Sequence, residues 1–589
     1  MLLIAFVLAV QVPVRPDPDT LRPGLVVRLR AGGAEVVRVD SKPALAPGVE
    51  SPHPRLPAGP FEAVWTGLIQ ILDPEGLVFD ADLAGELSVE VGGRTVLQAT
   101  SDGGRVRGDV RFEPAPGFHP IRVRFRSTPG LPARVQLGWE GAAFSREPLP
   151  AFRLRHGIDD VPADARRAER GRELVGAFGC ARCHASAFPG VDDPPPGPSL
   201  ADAAGRIDAG WLRRHLEAPT GRMPRLFPDG PEGERERRQV AAALAGRRAW
   251  TPPTGDARKG RLQFLSIGCV ACHLVPDMDP DEQADLGRRP FADLAARWTA
   301  VRLAAFLSDP HARYPDGRMP ALRLEPAQAR DLAAYLLSGA PPAPEEPAEA
   351  EEGGRERLVS RKCAACHPGL EGPSTYDVPM RAPSAVCAGP RFTLSDADRG
   401  AIEAYAAVAA AERHPSPPEA RRRLLGRLGC ERCHSRDDSR SPPLEEASST
   451  LGGAFLQAVP FLRTPRLSYA HAKFAPEHLK AALRDGVKGD RHDRFTFRMP
   501  AFGDRADEIA RALAEADGDP WPVPPAETAV AADPTLAPIG PSLIGFEGYA
   551  CVSCHLWKGQ RLSEADPGAV GPELTSVTRR IRRPWFDRW

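Results

Sequence analysis

The chain has 589 residues, with 77 Lys and Arg against 77 Asp and Glu, so no charge surplus points to nucleic acid or another polyanion. Proline and glycine number 65 and 55, a composition rich in joints and turns, and the length implies several domains. The one long apolar run, LLIAFVLAV at 2–10, is too short to span about 30 Å of hydrocarbon, which excludes it as a membrane span.

In chain order, residues 1–20 read as a signal peptide lacking a basic start, which implies export and a mature chain without an integral membrane span. From 22 to 145 short runs with partial period-two alternation follow, among them LVVRLR, FEAVWTGLIQI, LVFDADL, ELSVEV and IRVRFR, separated by turns such as DPEG and VGG. This pattern predicts an all-β sandwich without a single cysteine.

The remainder predicts small all-α domains joined by proline-rich segments, and it contains all eleven cysteines. Ten of them form five copies of Cys-x-x-Cys-His: Cys180/Cys183/His184, Cys269/Cys272/His273, Cys363/Cys366/His367, Cys430/Cys433/His434 and Cys551/Cys554/His555. In the first four units a helix runs into the motif, and an apolar-periodic helix closes the unit. Taken linearly, the units are 165–249, 254–340, a short 353–412, 418–517 and 538–589, the last reading as truncated. Two thiols three residues apart share a helical face, so they bond one porphyrin while the next imidazole reaches its iron; this is c-type haem attachment. Zinc ribbons need their pairs much closer together than the 67 to 121 residues found here. Arg-Met-Pro recurs before three closing helices, at Met223, Met319 and Met499, and a thioether is a suitable sixth ligand.

From 165 onward the chain resembles tandem class I cytochrome c domains, on the strength of those motifs. The resemblance implies five covalently held haems c, with His184, His273, His367, His434 and His555 proximal and Met223, Met319 and Met499 distal. It also implies a proline carbonyl holding each imidazole, matched well by Pro198 and Pro572 in GPSL and GPEL and loosely by Pro290 and Pro443. The third unit lacks Arg-Met-Pro; Met380, Cys387 or an empty position are the alternatives there. The fourth unit's long insert offers His471, His478 and His492 for bis-histidine ligation. The fifth unit's tail parallels 197–215, with Trp585 at the place of Trp211, but the equivalent of Met223 would fall past Trp589.

The N-terminal region is similar to the protective-antigen-like β-sandwich, through WTG, GFHPIRV and the closing LGW. That similarity implies glycan or partner attachment and, with Asp80, Asp82 and Asp102 as loop candidates, calcium. The functional expectation is an exported (periplasmic or cell-surface) pentahaem electron carrier with an unidentified protein donor and acceptor, rather than a catalyst. The alternative is a haem oxidoreductase, a peroxidase or small-substrate dehydrogenase, with one open-site haem fed by the others.

Overall fold

A computed structural model describes residues 14–587 except 192–195, 205, 220–221, 246–251, 284–285, 292, 315, 340–351, 379–390, 413–415, 438–441, 448–450, 452–463, 488–496, 523–534, 536–537, 561–570 and 572. The expected signal segment, Met380, Cys387, His492 and Pro572 lie outside these residues. No helix among the described residues is long and apolar enough to cross a membrane.

Residues 21–157 form an antiparallel sheet of eleven strands, with β1 (Leu21–Pro23), β11 (Leu154–Gly157), β5 (Glu62–Ile71), β8 (Gly117–Arg126), β6 (Val78–Val91), β9 (Ala133–Gly141) and β10 (Phe144–Pro148) in that order. LVFDADL and ELSVEV are one strand, β6. Its first half pairs with β9 and its second with β8. The strand thus feeds both flanks of one core around Trp65, Phe79, Phe125 and Trp139. Alternation is clean on β8, where Ile121, Val123 and Phe125 are buried between exposed arginines. Asp80 and Asp82 are strand residues, not loop ligands. The Arg146 guanidinium lies 2.8 Å from Asp80 and 3.0 Å from Asp82. Asp102 pairs along β6 on the exposed β7 (Arg94–Arg107). No metal-holding group of acidic, histidine or cysteine side chains occurs among the described residues, so the calcium expectation finds no site.

The helical region runs α1 (Ala163–Phe178), α2 (Ala209–Glu217), α3 (Pro231–Leu244), α4 (Ala257–Ile267), α5 (Leu294–Arg297), α6 (Ala300–Ser308), α7 (Pro326–Leu337), α8 (Gly354–Ser360), α9 (Asp396–Ala409), α10 (Pro417–Leu428), α11 (Ala470–Lys473), α12 (Pro476–Asp485) and α13 (Ala506–Ala516). Its packing corrects the linear boundaries. Helix α1 packs not on α3 but on α9, more than 200 residues away, and α8 packs on α3. Among the described residues, the motif helices that pack on the closing helix of their own stretch are α4, on α7, and α10, on α13.

The chain therefore nests three units. An outer unit combines α1 and the first motif with 376–378 and α9, and its core holds Val175, Phe188, Tyr405 and Cys180. A middle unit combines α2 and α3 with α8 and the third motif, and its core holds Leu212, Phe227, Val240, Leu358 and Cys363. In the middle unit the motif follows the methionine half in sequence, a circular permutation of the inner unit's order. The inner unit, α4 to α7, is contiguous and enclosed between these halves. A fourth unit, α10 to α13, follows.

One small residue permits three of the four helix crossings. Gly171, Gly260 and Gly354 each lie nine residues before the first motif cysteine. A Cβ on them would meet the backbone carbonyls of Ala401, Asp331 and Gln239 at 1.9, 2.0 and 2.2 Å. The fourth unit has Arg421 at this position.

The β-domain is docked firmly rather than tethered. Lys42 is buried, with Nζ 2.5 Å from Asp517 and 2.7 Å from Asp437, and Gln136 donates to Asp519. Glu419, 1% exposed, draws Arg38, Arg172, Arg422 and Arg423 together from the β-domain, α1 and α10. Burial opposes ionisation, but these guanidinium groups hold its carboxyl well below the usual range.

Candidate functional site

Each motif is built alike. A left-handed residue (Gly179, Gly268, Lys362, Gly429 or Ala550) ends the preceding segment and opens a 3-10 turn over the first three motif residues. The histidine amide then donates to the first cysteine's carbonyl, at 3.0 Å for His184, His273 and His434. Both sulfurs and the imidazole are thereby brought to one side of the turn.

At three motifs a backbone carbonyl holds the imidazole, and it comes from wherever the packing supplies it. His367 Nδ1 meets the Pro198 carbonyl at 2.9 Å, while Gly197 N donates to the Cys366 carbonyl at 2.5 Å. Pro198, of the GPSL sequence beside the first motif, thus serves the third. His184 Nδ1 meets the Val378 carbonyl at 2.7 Å, 194 residues away in sequence. His434 Nδ1 meets Pro465 at 2.7 Å, so Pro465 and not Pro443 fills this place. Its sequence TPRL carries the same Pro-x-Leu spacing as GPSL and GPEL, a readable cue. In the inner unit Arg289 N donates to the Cys272 carbonyl at 2.9 Å, which puts Arg289-Pro290 in register with Gly197-Pro198. In the fifth motif Gly571 N donates to the Cys554 carbonyl, which matches GPEL to GPSL.

A proton held on Nδ1 leaves Nε2 as the nitrogen that binds a metal. Burial favours the neutral ring: His273 is pushed down to about 4, and His367 and His434 are lowered for the same reason. Burial also raises the Cys269 and Cys433 thiols to about 12 and those of Cys363 and Cys430 to about 11.

The methionines follow the packing as well. Met319 lies against the inner core with Cys269 and Cys272, and Met499 against the fourth core with Cys430. Met223 lies against the middle core with Cys363, the third motif's cysteine, and not with the first motif it follows in sequence. His471 is fully buried, with Nε2 2.6 Å from Asp519 and Nδ1 3.3 Å from Asp517. It is therefore a structural link to the β-domain docking network, not an iron ligand.

Four of the five motifs open into one continuous cavity of 3290 Å³, reached also by Met223, Met319, Met499 and His478. The clefts meet in pairs. Arg225 and Arg391 exchange backbone hydrogen bonds at 2.9 Å, joining the middle and outer units, and Arg182 Nη1 reaches the Ala365 carbonyl at 3.0 Å. Ala321 and Ala501 form the same kind of bridge between the inner and fourth units, where Arg432 Nη1 reaches the Leu286 carbonyl at 2.5 Å. The pairs touch through the middle and inner units, with Trp211 Nε1 donating to Asp293 at 3.2 Å.

The cavity suits haem on chemical grounds. Its walls are mainly apolar, yet arginines outnumber carboxylates along them. Arg206, 3% exposed, is pushed down to about 10 by burial and then by neighbouring Arg313. Asp202 lies 2.8 Å from Arg313 Nη1, but among the described residues the buried Arg206 Nη2 and Arg313 Nε find no hydrogen-bond partner. Buried, under-paired cations call for anions, and haem carries two propionates on an otherwise apolar ring.

The family model for cytochrome c matches residues 257–340, the inner unit. No curated protein matches the chain. Among solved structures, an anti-sigma factor domain-containing protein is 18% identical over 24% of this chain and 50% of its own, with a TM-score of 0.22. This chain thus spans half the length of that relative. A PA14 domain of an antifreeze protein is 10% identical over 25% of this chain and 96% of its own, at 0.20, and a PA14 sugar-binding domain from an RTX adhesin is 12% identical over 23% and 99%, also at 0.20. Likenesses this weak bear on neither partner nor activity. The matched domain and the repeated motif support haem binding and electron transfer.

Proposed function

We propose that this protein is an exported pentahaem c-type cytochrome that passes single electrons between two protein partners. The observation that carries the reading is the single cavity lined by four Cys-x-x-Cys-His motifs and all three Arg-Met-Pro methionines. Bound haem would supply the one-electron couple. The chain's own residues would hold each ring by two thioether bonds, keep the imidazoles neutral, present Met223, Met319 and Met499 as soft ligands, and exclude water with apolar walls.

In this reading the two bridged pairs form a path, outer to middle to inner to fourth, with the fifth motif beside the fourth unit. Its tail docks there, Ala475 N donating to Arg580 at 2.8 Å and Arg582 N to Lys473 at 2.9 Å. The β-domain, packed on the outer and fourth units, would offer its outer face to a glycan or partner. A pyridine haemochrome assay on purified protein tests the core of this proposal. Five haems per chain are expected, and any smaller count would overturn the pentahaem reading.

A further inference from the structure

Two residues separate the cysteines in every motif, and the second of them follows the pairing of the units. The first motif has Arg182 there, and the third, with which it is paired, has Ala365. The fourth motif has Arg432, and the second, with which it is paired, has Ala271. Each pair sets one arginine against one alanine, although the two pairs are assembled from different parts of the chain.

Both arginines leave their own motif for the opposite unit. Arg182 is buried, and its Nη1 donates to the Ala365 carbonyl at 3.0 Å. Arg432 Nη1 donates to the Leu286 carbonyl at 2.5 Å, in the segment whose Arg289 N closes on Cys272. Ala365 and Ala271 are buried as well, so a second arginine at either place would add another cation to an already buried joint. The second cysteines come together there. Cys433 packs against the inner core beside Cys269 and Cys272. Burial raises the Cys366 and Cys272 thiols, and the arginine of the opposite unit works against it, Arg182 for Cys366 and Arg432 for Cys272. One cation therefore stands beside the second cysteine of the opposite motif in both pairs.

We propose, resting on the haem-attachment reading above, that Arg182 and Arg432 are positioning residues that hold the two motifs of each pair together, so that the haems on them exchange electrons as a coupled two-haem unit. The exchange moves one electron from one iron to the other, with no atom or proton transferred. Each arginine also fixes a positive charge between the two sites. Oxidised iron carries one more positive charge than reduced iron, so the cation favours the reduced state of both.

Soret circular dichroism of the holoprotein, with the haemochrome count measured on the same sample, tests the coupling. Haems held close together give a bisignate band, and isolated haems a single-signed one. The parent should be bisignate; Arg182→Ala and Arg432→Ala should each remove part of the amplitude, and the double variant most of it. Because truncation can loosen a unit, a potentiometric titration separates charge from packing. Arg182→Ala should lower the midpoints of two haems, while Arg182→Lys, which keeps the charge, should leave them at the parent's values. Five haems with no bisignate band in the parent, or alanine variants with unchanged amplitude and midpoints, would overturn the inference. Equal lowering by lysine and alanine would assign the shift to loosening and overturn the role of the charge. A parent without haem on these four motifs would instead overturn the attachment reading beneath it.

Discussion

The outer–middle pair and the inner–fourth pair reach the same arrangement by different routes. Both join two helical units through one short backbone bridge, and both bring two motifs to one cavity. The inner and fourth units are contiguous, whereas the outer and middle units each collect halves from distant parts of the chain. The difference teaches that docking surfaces, not chain order, decide which histidine, carbonyl and methionine face one another. Among the described residues the inner–fourth pair brings two methionines to the cavity, Met319 and Met499, and the outer–middle pair brings Met223.

The largest effect should come from the charge cluster that locks the outer and fourth units to the β-domain. Glu419→Ala leaves four arginines around an empty buried position and should cost about 4 kcal/mol, seen as a lower denaturant midpoint. Equal midpoints for variant and parent would show that the docking is not built on this group.

Next come the glycine crossings, which compare a split unit with a contiguous one. Gly171→Ala and Gly260→Ala should each cost about 2 kcal/mol, because each Cβ meets a backbone carbonyl that cannot move cheaply. Gly171→Ala should loosen the haem at His184, followed by its visible spectrum during unfolding. An unchanged spectrum for the haem at His184 would show that the α1–α9 crossing does not support it.

A smaller effect is set by pH. Burial disfavours the charged His471 ring, but the hydrogen bonds it donates to the Asp517 and Asp519 carboxylates outweigh it and raise its pKa above the ordinary value of about 6.5. A raised folded value means that this stabilisation is complete below about pH 6.5 and is lost as pH rises through the folded pKa. Alkaline solution should therefore weaken the seat of the β-domain on the fourth unit, and His471→Gln should remove that dependence from a pH series of unfolding midpoints. Least of all, Arg167→Ala should shift the midpoint by under about 0.5 kcal/mol, since its ion pair with Asp164 is exposed on both sides.

Much of this was legible in the residues. The five motifs, the three Arg-Met-Pro methionines, the helices flanking them and most strands are local patterns, and local patterns survive in a single sequence. The nesting is not local. Helices α3 and α9 both carry an apolar stripe ready for a motif helix, and nothing in their periodicity tells α1 which to choose. GPSL sits thirteen residues past His184, so proximity assigned it there, although Gly197 and Pro198 close on His367. His471 was conspicuous as a histidine near a haem motif, while the carboxylates that claim it lie 46 and 48 residues on. Asp80 and Asp82 resembled ion ligands until Arg146, from the next hairpin but one, filled the space between them.

The most direct test is a crystal structure of the holoprotein with anomalous scattering recorded at the iron edge. The account predicts one iron held by His367 and Met223 together. An iron held by His184 and Met223 together would contradict it.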